Sequence, residues 1–203
     1  MEAIVKTQME VIKFGAFQSH GHVVVIPLIS ANSTGPDYLT MKEAMEGQFL
    51  TVTEVTEGGT VPELKVSNRG ETPVLLLDGE ELSGAKQNRV LNTTILLKEK
   101  SDTVIPVSCT EHGRWSYRSA NFEESGHIMS AKLRRIKNSS VHENLKSGHS
   151  FRSDQGAVWD EIAAQAHINR VNPVTGAMKD VLEAKQEDLD AFLEHLPIID
   201  DQN

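Results

Sequence analysis

Between residues 23 and 109, apolar runs of strand length follow one another at short intervals, with no helix-length repeat between them. The segments 23–29, 49–55, 64–66, 73–77, 90–97 and 103–109 are rich in Val, Ile, Leu and Thr and are punctuated by Gly, Pro, Asn and Asp. A parallel sheet requires crossovers of a dozen or more residues between paired strands. The rhythm seen here lacks them, so an antiparallel sandwich or barrel is favoured. Within it, 23–29 is expected to be one buried strand, with Pro27 marking an edge or bulge. The residues 98–102 are expected to join 90–97 and 103–109 as a hairpin. A short helix is expected over 37–45, capped by Asp37 or Thr40.

The second half changes character. Residues 114–153 contain nine serines and a net charge of +5, between flanks of −6 (1–113) and −8 (154–203). A helix over 130–145 is weakened in its middle by Asn138, Ser139 and Ser140. Asp154 caps a second helix with Ala157, Val158, Ile162, Ala163 and Ala166 on one face. A last helix opens at Thr175 and Gly176 and runs to Pro197, apolar along Met178, Val181, Leu182, Leu189, Phe192, Leu193 and Leu196 and acidic opposite. The expected fold is therefore α+β: an N-terminal antiparallel β-sandwich-like body followed by two or three C-terminal helices. It is organised as a single domain with a β-rich part, 1–113, and a basic, Ser-rich and helical part, 114–203.

Composition excludes several classes. A net charge of −9 argues against a general nucleic-acid binder, which needs a broad positive face. A single cysteine, Cys109, excludes an internal disulfide and agrees with a reducing compartment. No run of 18 apolar residues and no signal-peptide pattern occurs, so a cytoplasmic protein without a membrane partner is expected.

Chemistry concentrates in three places. The stretch 75–97 encloses Asp78, Glu80, Glu81, Lys86, Gln87, Asn88, Arg89 and Asn92, far more donors and acceptors than a chain reversal needs. Glu80 and Glu81 with Asp78 suit acid–base work, Lys86 and Arg89 an anion, and Gln87, Asn88 and Asn92 a base, ribose or peptide edge. The plainer alternative is a polar turn whose side chains cap strand ends. The second cluster is Cys109, Glu111, His112, Arg114 and Trp115. Cys109 as a nucleophile competes with Cys109 as a small core residue, and Trp115 as a stacking platform competes with Trp115 as core. A third cluster, Arg152, Gln155 and Trp159, lies at a helix start, where backbone N–H groups can meet an anion. His20 and His22 share a face at i, i+2, but two ligands do not make a metal site. No dinucleotide, P-loop, nucleophile-elbow or zinc-protease motif is present.

The strings DYLTMKEA, EVTEGGTVPEL, NRGETPVLLLDGEELSGAKQNRVLNTTILL, IPVSCTEHGRWSYRS and SFRSDQGAVWDEIAA together resemble one family. It is the ADP-ribosylglycohydrolase and rhodanese-phosphatase-superfamily-associated protein domain, and the resemblance runs from about His20 to Leu196. It implies ligands of nucleotide or NAD-derived type and no settled activity. By position it carries over Asp78, Glu80, Glu81, Lys86, Gln87, Asn88, Arg89 and Asn92, then Cys109, Glu111, Gly113, Arg114 and Trp115, then Arg152, Gln155 and Trp159. It also implies that relatives continue past the last helix, so a chain ending at Asn203 is expected to be a short form or to need a second subunit. The leading expectation is a site for a phosphate-bearing small molecule of nucleotide or ADP-ribose type, in a homo-oligomer, with cofactor unknown. Lys86, Arg89 and Arg114 would neutralise phosphate, Glu80, Glu81, Glu111 and Cys109 would supply chemistry, and Trp115 would stack. The rival is an interaction or scaffold domain acting through its C-terminal helices.

Overall fold

The computed structural model describes residues 2–30, 35–56, 58, 59 and 61–199. They divide into two compact units, one of residues 1–36 with 185–203 and one of 37–184. Among the described residues, no helix is long and apolar enough to cross a membrane.

The first unit holds α1 (Glu2–Glu10), β1 (Ile12–Phe14), β2 (Gln18–His20), β3 (Val23–Val25) and β4 (Leu28–Ser30). The expected single strand over 23–29 is divided between two hairpins. Val23 pairs with His20 in β2, whereas Leu28 pairs with Phe14 in β1. Pro27 lies at the division; it has no N–H to donate, and its carbonyl accepts from Gly15 N–H at 2.9 Å. Nor is the run buried, since Val24 is 61% exposed. From the far end of the chain comes α6 (Gln186–His195), whose His195 ring stacks on His20 at 4.0 Å.

The second unit contains β5 (Leu39–Thr40), α2 (Met41–Glu46), β6 (Leu50–Glu54), β7 (Glu63–Asn68), β8 (Val74–Leu76), β9 (Glu80–Gly84), β10 (Arg89–Leu91), β11 (Ile95–Leu97), β12 (Ser101–Cys109), β13 (Phe122–Ile128), α3 (Ala131–Lys146), α4 (Gln155–Ile168) and α5 (Met178–Glu183). Thr40 starts α2 through a reciprocal box: Glu43 N–H donates to Thr40 Oγ1, and Thr40 N–H donates to Glu43 Oε2. The chain is α+β as expected, but its main sheet is not a sandwich. Six strands close a barrel in the order β10-β12-β7-β6-β13-β9, and β13 comes from the basic, Ser-rich segment. The hairpin expected from 90–97 and 103–109 is also reshaped. Leu91 pairs with Val107 in the barrel, but Ile95–Leu97 leaves to join β8, which pairs in parallel with β5.

Period-two alternation fills the barrel. Leu50 and Val52, Leu64 and Val66, Ile105 and Val107, Leu82, Leu91 and Phe122 are buried together in one core. Val90, on the opposite face from Leu91, instead joins Met129, Leu133, Val158, Ile162 and Met178 in a second core beneath the helices. The expected last helix is two helices. α5 closes with Ala184 N–H on Asp180 O, and a new ladder starts with Leu189 N–H on Lys185 O. The stripe parts there, because Met178 and Val181 of α5 are buried whereas α6 has no buried residue among those described.

Candidate functional site

The alternation that makes the barrel apolar turns polar at one end. Continuing Leu50 and Val52 inward brings Glu54; continuing Leu91 brings Arg89; continuing Ile105 and Val107 brings Cys109. Arg89 and Cys109 are register partners across β10 and β12. Arg89 is fully buried, and its Nη2 lies 3.9 Å from Glu54 Oε1. Burial lowers the Arg89 pKa, with Cys109 and Glu54 acting in opposition to that shift. Burial also pushes the Cys109 thiol up, away from the thiolate form that a nucleophile uses.

The stretch expected as a polar connection is mostly strand, with only 85–88 as the reversal between β9 and β10. Gly84 makes this reversal possible. Its φ is 126°, and a Cβ there would sit 2.6 Å from Ser119 Oγ and 2.8 Å from Asn121 O. The reversal is stitched to the end of β12. Gln87 Nε2 donates to Glu111 O at 2.8 Å, and its Oε1 accepts from Arg89 Nη1 and Cys109 Sγ, both at 3.1 Å. Asn88 N–H donates to Glu111 Oε2 at 3.2 Å.

Arg114 completes this network and is used up by it. Its Nε donates to Glu111 Oε2, its Nη1 to Ala85 O and Ser116 O, and its Nη2 to Gly84 O and Asn88 Oδ1, all within 3.2 Å. Five N–H groups thus have five acceptors. Burial opposes the Glu111 charge, but Arg114 and the Thr175 hydroxyl outweigh it and hold the carboxyl below its usual range. Gln155 grips the strand itself: it accepts from Cys109 N–H at 2.7 Å and donates to Cys109 O at 2.8 Å.

Above Arg89 the surface opens. Trp115 and Tyr117 are half exposed, the Arg89 guanidinium lies 5.9 Å from the Trp115 ring, and Lys86 Nζ stands 5.3 and 5.0 Å from the Trp115 and Tyr117 rings. Lys86 Nζ also donates to Gly58 O at 2.6 Å.

Gln87, Asn88, Arg89, Cys109, Glu111, Arg114 and Gln155 therefore form one hydrogen-bonded network, with Lys86 and Trp115 over it. The remaining residues singled out in the sequence lie elsewhere. Asp78 joins the buried Lys137 of α3, with Arg134 and Asn138 on its other oxygen. Asn92 bridges Ser108 and Phe151 O. Glu80 accepts from Leu77 N–H at 2.8 Å, and burial raises its pKa. Glu81 faces outward beside Val90, takes the Thr110 hydroxyl at 2.7 Å, and is pushed up to about 7 by burial. Arg152 is exposed, and its carbonyl accepts from Asn144. His112 leaves the strand axis and packs on Trp159 at 4.2 Å, where both line a cavity of about 530 Å³ beside α4. Among the described residues, no group of three or more His, Cys, Asp or Glu is placed to hold a metal ion.

Glu54, Tyr117 and Lys137 were missed in the sequence. The signal for Glu54 is its place two residues beyond Val52 in an alternating strand, and the signal for Lys137 is its i, i+4 spacing from Leu133 and Val141.

The model of one protein family, the ARG and Rhodanese-Phosphatase-superfamily-associated Protein domain, matches residues 11–203. The chain belongs to that family. The family match takes in the barrel, the polar end layer and all the helices from α2 onward. No curated protein and no solved structure matches the chain.

Proposed function

We propose that this member of the ARG and Rhodanese-Phosphatase-superfamily-associated Protein domain family binds a phosphate-bearing small molecule of nucleotide or ADP-ribose type at the polar end of its barrel. The observation that carries the reading is Lys86 Nζ held over two half-exposed aromatic rings, one of which, Trp115, also lies 5.9 Å from the buried Arg89 guanidinium. An ammonium group supplies a point charge for phosphate, and Trp115 and Tyr117 supply faces on which a base stacks. Arg114 and Glu111 act from beneath: their mutual bonds shape the reversal that presents Lys86. Isothermal titration with ADP-ribose, NAD and AMP tests the reading. Lys86→Ala should weaken binding about tenfold, as expected for losing one charge-assisted hydrogen bond. Unchanged affinity in that variant, or silence across the ligands, would reject it.

One observation favours a second reading, an interaction module that assembles with copies of itself. In the first unit, Phe14, Phe17 and Leu193 are each at least 70% exposed, apolar side chains that contact between copies would bury. Sedimentation over a concentration series tests this, with Phe14→Ser/Phe17→Ser expected to shift any assembly towards monomer. A wild-type chain that stays monomeric throughout would exclude self-assembly.

A further inference from the structure

The polar end layer contains one pair of charges that the fold brings together and leaves open. The Glu54 side chain is 5% exposed and that of Arg89 is 0% exposed. Among the described residues, neither Glu54 oxygen accepts a hydrogen bond, and Arg89 Nε and Nη2 donate none. A buried ion pair needs hydrogen bonds on its spare lone pairs and protons, and native structures rarely leave four such atoms unmatched in one place. The neighbours in the layer are by contrast engaged, as Gln87 and Cys109 bond to each other and to Arg89 or Glu111.

The turn beside this pair also meets Lys86 of the proposed binding surface. Gly59 has φ +73°, and a Cβ there would lie 3.5 Å from the Glu54 carboxyl and 3.3 Å from Lys86 Cδ. Gly59 thus lies beside both the Glu54 carboxyl and the Lys86 stem, with Lys86 Nζ donating to Gly58 O.

Resting on the reading above, we infer that Glu54 and Arg89 read the vicinal diol of a ribose phosphate. The two hydroxyls donate to the two Glu54 oxygens, and the hydroxyl oxygens accept from Arg89 Nε and Nη2. The chemistry selects hydroxyls because each ligand atom must both donate to a carboxylate and accept from a guanidinium. An ammonium only donates and a carboxylate only accepts. The spacing agrees, since an oxygen about 2.8 Å from each partner spans the 3.9 Å between Arg89 Nη2 and Glu54 Oε1.

The test is isothermal titration of AMP, 2′-deoxyAMP and 3′-deoxyAMP against wild type, Glu54→Gln and Glu54→Asp. Wild type should bind AMP about tenfold or more tightly than either deoxy form, because each deoxy form leaves buried partners unmet. Both variants should lose that preference while keeping the deoxy-form affinity. Equal wild-type affinity for AMP and the deoxy forms would overturn the diol assignment while leaving the binding surface standing. A folded variant that keeps the preference would do the same. No binding by any of the three, nor by ribose 5-phosphate, would overturn both. The wild-type comparison decides the matter even where a variant fails to fold.

Discussion

Arg89 and Arg114 show how little a residue's type says about its role. Both are buried arginines in one network, yet among the described residues Arg114 has an acceptor for every N–H and Arg89 has two nitrogens without one. Arg114→Ala should therefore act as a folding lesion, lowering stability by about 3 kcal/mol or more because Glu111 stays buried without its partner. Urea unfolding reads this loss. Glu81 makes a pH prediction. Its carboxyl rises from an ordinary 4.5 to about 7 on folding, so the folded chain holds an extra proton between those values. Stability is then greatest below the unfolded value and falls as pH rises through about 7, by about 3 kcal/mol in all. Glu81→Gln should flatten that slope of Tm against pH; an unchanged slope would remove Glu81 as its source. The polar residues themselves were legible in the sequence, since their density exceeded any turn. Their division into engaged and open was not, because it depends on distances between segments far apart in the sequence, such as Glu54 and Arg89.

At the scale of elements, α3 shows a helix docked by a charge. Leu133, Lys137 and Val141 lie one turn apart and are all buried, and Lys137 Nζ donates to Asp78 and to the carbonyls of Leu91 and Asn92. Burial lowers the Lys137 pKa and Asp78 opposes that shift. Lys137→Met should cost about 3 kcal/mol, since Asp78 and two carbonyls lose a shared donor. Combined with Asp78→Asn, the loss should fall short of the sum of the two single losses, as for any contacting pair. Additive losses in urea titrations would show that the two act independently. Helix starts at Thr40 and Asp154 were legible because capping is local. The single helix expected over 175–197 was not, because an unbroken apolar stripe does not reveal that its two halves belong to different units.

At the scale of the molecule, the barrel concentrates buried residues in the second unit, whereas α6 and the hairpins of the first unit bury few. Amides of β7 and β12 should exchange with solvent only on global unfolding, and those of β2 and β3 at least about tenfold faster. Mass-resolved exchange measures both, and uniform protection would contradict this division. Leu64→Ala, at a fully buried position facing the barrel interior, should cost about 2–5 kcal/mol.

The sequence by itself determined the strand rhythm, the antiparallel preference of the main sheet, the helix caps, the family, and which residues are too polar to be filler. These are local properties, set by period, propensity and composition over a few residues. Only the tertiary structure decided that the strands close into a barrel, that the basic segment supplies one of its staves, and that Glu54 meets Arg89 inside it. Closure is a property of pairing between distant strands, and a one-residue shift in any register would turn Glu54 or Arg89 out of the barrel altogether.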